Sequence, residues 1–148
     1  MGIKMKKCFS LILAAVISLM ITMTAAADGI YENVSVYYNG EKQPQTVTVT
    51  EIDGSVLIPI RPVWDLFSTK LTWDGMRKRI TSSTALGKTI IQIGSAVVSV
   101  NGNNVYVAAT YPRIFGGSTL IPLDLAEACT GASIKYVTSN QSLQIVRD

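Results

Sequence analysis

The sequence predicts an α+β fold, with antiparallel β-sheets packed on two short helices and a hairpin–strand–helix–hairpin unit written twice as a tandem pseudo-repeat. Three observations predict it. After residue 27 most of the chain alternates apolar and polar residues in short runs closed by Asn-Gly or Asp-Gly, the pattern of half-buried strands joined by tight hairpins. Helical spacing is confined to two segments, and each follows the same phrase, Gly-Ser-x-Leu-Ile-Pro, beginning at Gly54 and at Gly117. A shift of 63 residues lays Gly54, Leu57, Ile58, Pro59 and Ile60 on Gly117, Leu120, Ile121, Pro122 and Leu123, and carries Leu71, Trp73 and Ile80 onto Ile134, Tyr136 and Leu143. A period this long in two copies reads as a duplication, with repeats at about 34–84 and 88–148.

The first 27 residues stand apart. Lys4, Lys6 and Lys7 precede an apolar run from Cys8 to Met23, which closes on Thr24-Ala25-Ala26-Ala27. That order is a signal peptide with a small-residue cleavage site before Asp28, and the run is shorter than the ~20 residues a membrane span needs. The expected address is therefore secretion or the cell surface after cleavage near Ala27. The remaining chain, 28–148, keeps ten of the thirteen basic residues against ten acidic ones. A balance near zero gives no electrostatic footprint for nucleic acid. The basic cluster "MRKR" at 76–79 reads as a solvated turn.

Within 28–148 the elements follow in order. "VSVYY" (34–38) runs into Asn39-Gly40, and "TVTVT" (46–50) alternates strictly before Asp53-Gly54. Leu57-Ile58 forms a short buried strand that Pro59 ends, since Pro cannot donate to a central ladder. Pro62 suits a first helical turn, and Val63, Leu66 and Phe67 then fall on one face. "KTIIQI" (88–93), "AVVSV" (96–100) and "NVYVAA" (104–109) are strand-like, with Asn101-Gly102 between the last two. The second corner, Gly117 to Pro122, leads to a helix with Leu125, Ala128 and Cys129 on one face and Gly131 as its C-terminal cap. Gly54, Pro59, Gly117 and Pro122 are thus read as structural corner residues. None of these residue types is a nucleophile, acid, base or metal ligand.

The ordered series "LIPIRPVWDLF…LTWD" and "VSVNGNNVYVAATYPRIFGGSTLIPLDLAEACTGASIKYV" resembles the copper amine oxidase N-terminal-like, or stalk, domain over most of residues 28–148. The resemblance implies an α+β unit with a sheet curved around a helix. It also implies a secreted or surface protein of a Gram-positive bacterium, appended to other modules and not itself catalytic. Two departures stand out. Arg61 fits the family's pattern where the second copy has Asp124, which raises the expectation that Arg61 and Asp124 pair across the two halves. Cys129 replaces a family Leu, with Thr130 inserted before Gly131.

The chain has no histidine, so neither an imidazole copper site nor a Ser-His-Asp triad can be assembled from it. No metal, copper or other cofactor is expected. Cys129, alone once Cys8 leaves with the leader, reads as a small buried hydrophobe. Asp65, Asp74, Asp124 and Glu127 are the mid-chain carboxylates, and turn formation, helix polar faces and a helix dipole account for them. The expected function is a non-catalytic stalk or binding module that makes protein or cell-wall polysaccharide contacts. The alternative is an inhibitor or accessory subunit of a secreted enzyme. Trp73 and Tyr136, equivalent in the two copies, are expected in the core. Trp64 aligns with Glu127 and is expected to be an exposed aromatic. Trp64, Arg61 and the loop 110–116, with Tyr111, Arg113 and Phe115, are the candidate binding residues. Strand edges, "TVTVT" among them, could pair in a homodimer.

Overall fold

The computed structural model describes residues 30–148; the leader predicted at 1–27 lies outside the described residues. The described chain opens on an antiparallel hairpin, β1 (Ile30–Tyr38) and β2 (Glu41–Ile52). At its tip Asn39 and Gly40 have φ of 49° and 81°. Two successive left-handed residues make the turn whose twist matches the flanking strands. Asp53-Gly54 repeats the device between β2 and β3 (Ser55–Pro59). Then come α1 (Ile60–Leu66), β4 (Leu71–Asp74), β5 (Arg79–Thr84), β6 (Gly87–Gln92), β7 (Val97–Val100) and β8 (Asn103–Val107), with Asn101-Gly102 between the last two. The chain ends with β9 (Arg113–Phe115), β10 (Ser118–Pro122), α2 (Leu123–Thr130), β11 (Ser133–Val137), a 3-10 turn at Thr138–Asn140 and β12 (Ser142–Val146).

These strands form two sheets. One has seven strands in the order β11-β12-β1-β2-β3-β10-β9, and the other five in the order β4-β5-β6-β7-β8. Every described pairing is antiparallel except β1 with β12, where Val36 stands opposite Leu143. β3 pairs with β10 through Leu57–Pro122, Ile58–Ile121 and Pro59–Leu120. The architecture is mostly antiparallel sheet with two helices, an α+β class.

"TVTVT" lies in β2, where all five residues pair with β1 and only Thr50 also stands opposite β3, at Leu57. Its alternation reports one buried face, Val47 and Val49, and says nothing about how many strands flank it. The free edges are β4, β8, β9 and β11.

One hydrophobic core joins both sheets and both helices. Val34, Val47, Ile58 and Ile121 come from the larger sheet, Ile80, Ile91 and Val98 from the smaller, and Val63, Trp64, Leu125 and Cys129 from the helices. Pro59 and Pro122 each end a strand and stand at the N-cap of the helix that follows, with φ, ψ of −67°, 133° and −62°, 148°. A proline there loses nothing, because the first helical N–H groups have no intrahelical partner. α2 stops at Gly131, whose φ of 74° is left-handed and whose N–H donates to the Glu127 carbonyl at 2.8 Å.

α1 buries Ile60, Val63 and Trp64, not the expected face of Val63, Leu66 and Phe67. The spacing is the same but begins three residues earlier, because the helix starts directly after Pro59. Leu66 and Phe67 are half-buried and pack against the core margin, where Phe67 meets Tyr38 edge-on at 5.7 Å.

Candidate binding site

The two tryptophan assignments are reversed in the structure. Trp64, expected at the surface, has 0% exposure, and its indole N–H donates to Ser82 Oγ at 3.0 Å. Ser82 and Thr89 share a hydrogen bond of 2.6 Å behind it, and Thr89 Oγ1 also reaches the Ser82 carbonyl. A buried indole needs an acceptor, and two hydroxyl residues on β5 and β6 supply it. Glu127, the residue aligned with Trp64, likewise turns its carboxylate to the protein and accepts from the Ile134 N–H at 2.8 Å.

Trp73, expected in the core, is 47% exposed. It stands opposite Ile80 on β4, an edge strand with no neighbour on its outer side. Tyr136 is half-buried against the core, and its hydroxyl is bound to the Glu32 carboxylate, which holds its pKa above the ordinary tyrosine range.

The expected Arg61–Asp124 pair is not formed. Asp124 Oδ2 accepts from the Tyr106 hydroxyl at 3.1 Å and from the Ala109 N–H at 2.8 Å, while Oδ1 faces the Leu125 N–H. Its donors lie on β8 and just beyond it, so the carboxylate fastens the edge of the smaller sheet to the start of α2. The same contact raises the pKa of Tyr106, first through the hydrogen bond and then through Asp124's charge. Arg61 is exposed and makes no ion pair or hydrogen bond among the described residues.

The loop expected to bind, 110–116, carries Tyr111 and Phe115 in exposed positions. Arg113 is half-buried; its guanidinium lies over the Tyr111 ring at 4.3 Å and donates to Thr110 Oγ1 at 2.9 Å. Cation and ring thus hold each other, and the pair braces the loop.

Arg61 and Phe115 meet Trp73 at a groove of about 770 Å³. β2 contributes Thr46, Thr48 and Thr50, β9 contributes Ile114 and Phe115, and the turn Gly116-Gly117 joins the wall. Trp73 and Phe115, at 47% and 52% exposure, give it two aromatic surfaces. The structure therefore joins two of the candidate residues with a tryptophan assigned elsewhere. Trp64 lies in the core, and Tyr111 and Arg113 do not line the groove.

A second, smaller cleft of about 160 Å³ brings together Glu32, Glu51 and Tyr136, carboxylates that sequence reasoning passed over. Their strands pair far from the sequence neighbourhood of Tyr136, so no local signal marks them. Among the described residues no three His, Cys, Asp or Glu side chains gather as a metal site.

A family model for the copper amine oxidase N-terminal domain matches residues 37–145. The chain belongs to that family. The match spans β1 to β12, so Arg61, Trp73 and Phe115 all lie inside the copper amine oxidase N-terminal domain. In its family this domain is a non-catalytic, stalk-like module. No curated protein matches the chain, and no solved structure matches it.

Proposed function

We propose that the chain is an exported binding module that works by contact at the cell surface or in the extracellular space, holding a wall polysaccharide in the Trp73–Phe115–Arg61 groove. The groove is the observation that carries this reading. A flat indole or phenyl face suits the apolar face of a sugar ring, and hydroxyl side chains beside it suit a sugar's own hydroxyls. The leader-like sequence at 1–27 supports the export. The test is retention of the full-length chain on purified cell walls and insoluble polysaccharides. Retention that Trp73→Ala abolishes supports the reading, and no retention on any of them rejects it.

A second reading, an inhibitor or accessory subunit of a secreted enzyme, draws on a different observation. Of the ten exposed large hydrophobic side chains among the described residues, Val105, Tyr106, Val107, Tyr111, Ile114 and Phe115 fall in one stretch of eleven residues. Exposed apolar side chains suit a protein partner. Co-purification with a secreted enzyme, together with loss of wall retention, would favour it.

The tandem repeat belongs to the same proposal. Under the 63-residue shift the β3–β10 register maps onto itself, since Leu57–Pro122 becomes Leu120–Pro59 and Ile58–Ile121 is its own equivalent. A self-complementary pairing of this kind is what a two-fold axis between duplicated halves produces.

A further inference from the structure

We propose that the groove takes a linear glycan whose rings carry carboxylates, a uronate polymer. The inference rests on the reading of the groove as a glycan site and narrows it. Arg61 is the one formally charged side chain among the lining residues, and no carboxylate lines the groove with it. Among the described residues its guanidinium has no ion pair and no hydrogen bond. Every other arginine with a described side-chain contact is committed elsewhere: Arg77 to Asp74, Arg113 to Thr110 and Tyr111, and Arg147 over the Phe67 ring.

The corresponding residue of the other half, Asp124, is fastened to Tyr106 and Ala109. One half has spent its charge on the fold, and the other presents it to a groove. A guanidinium fork beside an otherwise uncharged wall is complementary to a planar carboxylate, which it can take through two parallel hydrogen bonds.

Charge alone does not select the ligand. Trp73 and Phe115, both about half exposed, line the same groove, and aromatic rings there call for a ring. A polyol phosphate has the anion without the ring. A neutral glucan has the ring without the anion, and its hydroxyls would find no carboxylate acceptor along the wall. A uronate unit carries both features on one sugar. Thr46 and Thr48 of β2 and Thr119 of β10 place hydroxyls along the groove for the remaining sugar oxygens.

The test is calorimetric titration of the full-length chain with oligogalacturonate, with the same oligomer after its carboxyls are reduced to alcohols, and with polyglycerol phosphate. The expected result is binding of the uronate at least about tenfold tighter than the reduced oligomer, the worth of one charge-assisted pair. Arg61→Ala should erase that preference, and Trp73→Ala should weaken both. Raising the salt concentration should weaken the uronate and leave the reduced oligomer unaffected. Equal affinity for the two oligomers overturns the uronate inference and leaves the groove reading standing. So does an Arg61→Ala protein that binds uronate undiminished. Polyglycerol phosphate binding as tightly as the uronate overturns it in favour of a bare anion site. No binding of any of the three overturns both.

Discussion

Trp64 shows how a single residue acquires its role from partners distant in sequence. With no exposed surface and its N–H on Ser82, it is the largest fully buried side chain described. Trp64→Phe keeps most of the ring and strands the buried Ser82–Thr89 pair without its donor, so unfolding in urea should report a loss of about 1–3 kcal/mol. Trp73→Phe, at a half-exposed edge position, should change stability by less than about 0.5 kcal/mol. Equal losses from the two variants would refute the assignment of core and groove tryptophans. Cys129 makes a second residue-scale case. Burial pushes its thiol from the ordinary 9.0 up to about 12. The folded value lies above the unfolded one, so the contribution to stability is fully present below pH 9 and is lost as pH rises through 9 to 12. In a chain carrying Cys8→Ser, stability should fall across that window by up to about 1.4 kcal/mol per pH unit from this group. Cys129→Ala should flatten the slope; an unchanged slope would show that another group sets it.

At the scale of elements, what the sequence made legible was local. Asn39-Gly40, Asp53-Gly54 and Asn101-Gly102 must adopt left-handed φ, and Pro59 and Pro122 lack an N–H, so each states its own conformation without reference to the rest of the chain. What the sequence hid was adjacency. Strict alternation in β2 and loose alternation in β4 look alike as patterns, yet β2 lies inside its sheet and β4 at an edge. Trp73 is exposed because of that edge, and Trp64 is buried because β5 and β6 bring hydroxyls to it. Neither fact is encoded within ten residues of the tryptophan. The same adjacency makes β8 the element to watch. It is an edge strand, and its side chains are exposed along its whole length, Val107 at 67%. An apolar edge with unpaired backbone groups is a template for another strand. The wild-type chain should therefore self-associate with rising concentration in sedimentation velocity. Val107→Lys should abolish that association with no change in melting temperature beyond about two degrees. A wild-type chain that stays monomeric at high concentration would remove β8 as a dimer edge.

The whole molecule is tied across its midpoint as well as within each half. β12 pairs with β1 in parallel, β10 pairs with β3, and β5 pairs with β6, so three strand contacts join residues before position 85 to residues after it. Leu143 and Ile145 from the last strand share a core with Val34 and Val36 from the first, and none of the four is more than 1% exposed. Cutting the chain between β5 and β6 would open the β3 edge and the β1 edge together, and would unroof apolar surface on both pieces. At roughly 60 residues each, such pieces have little core to spare. Fragments 28–85 and 86–148 should therefore each lack a cooperative thermal transition and show collapsed amide dispersion by NMR when studied alone. Mixed at equal concentration, they should regain both, slowly, because long-range strand pairing has to precede most of the burial. A cooperative transition from either fragment by itself would mean that a half carries its own fold, and that the exchanged strands fasten two independent units instead of completing one.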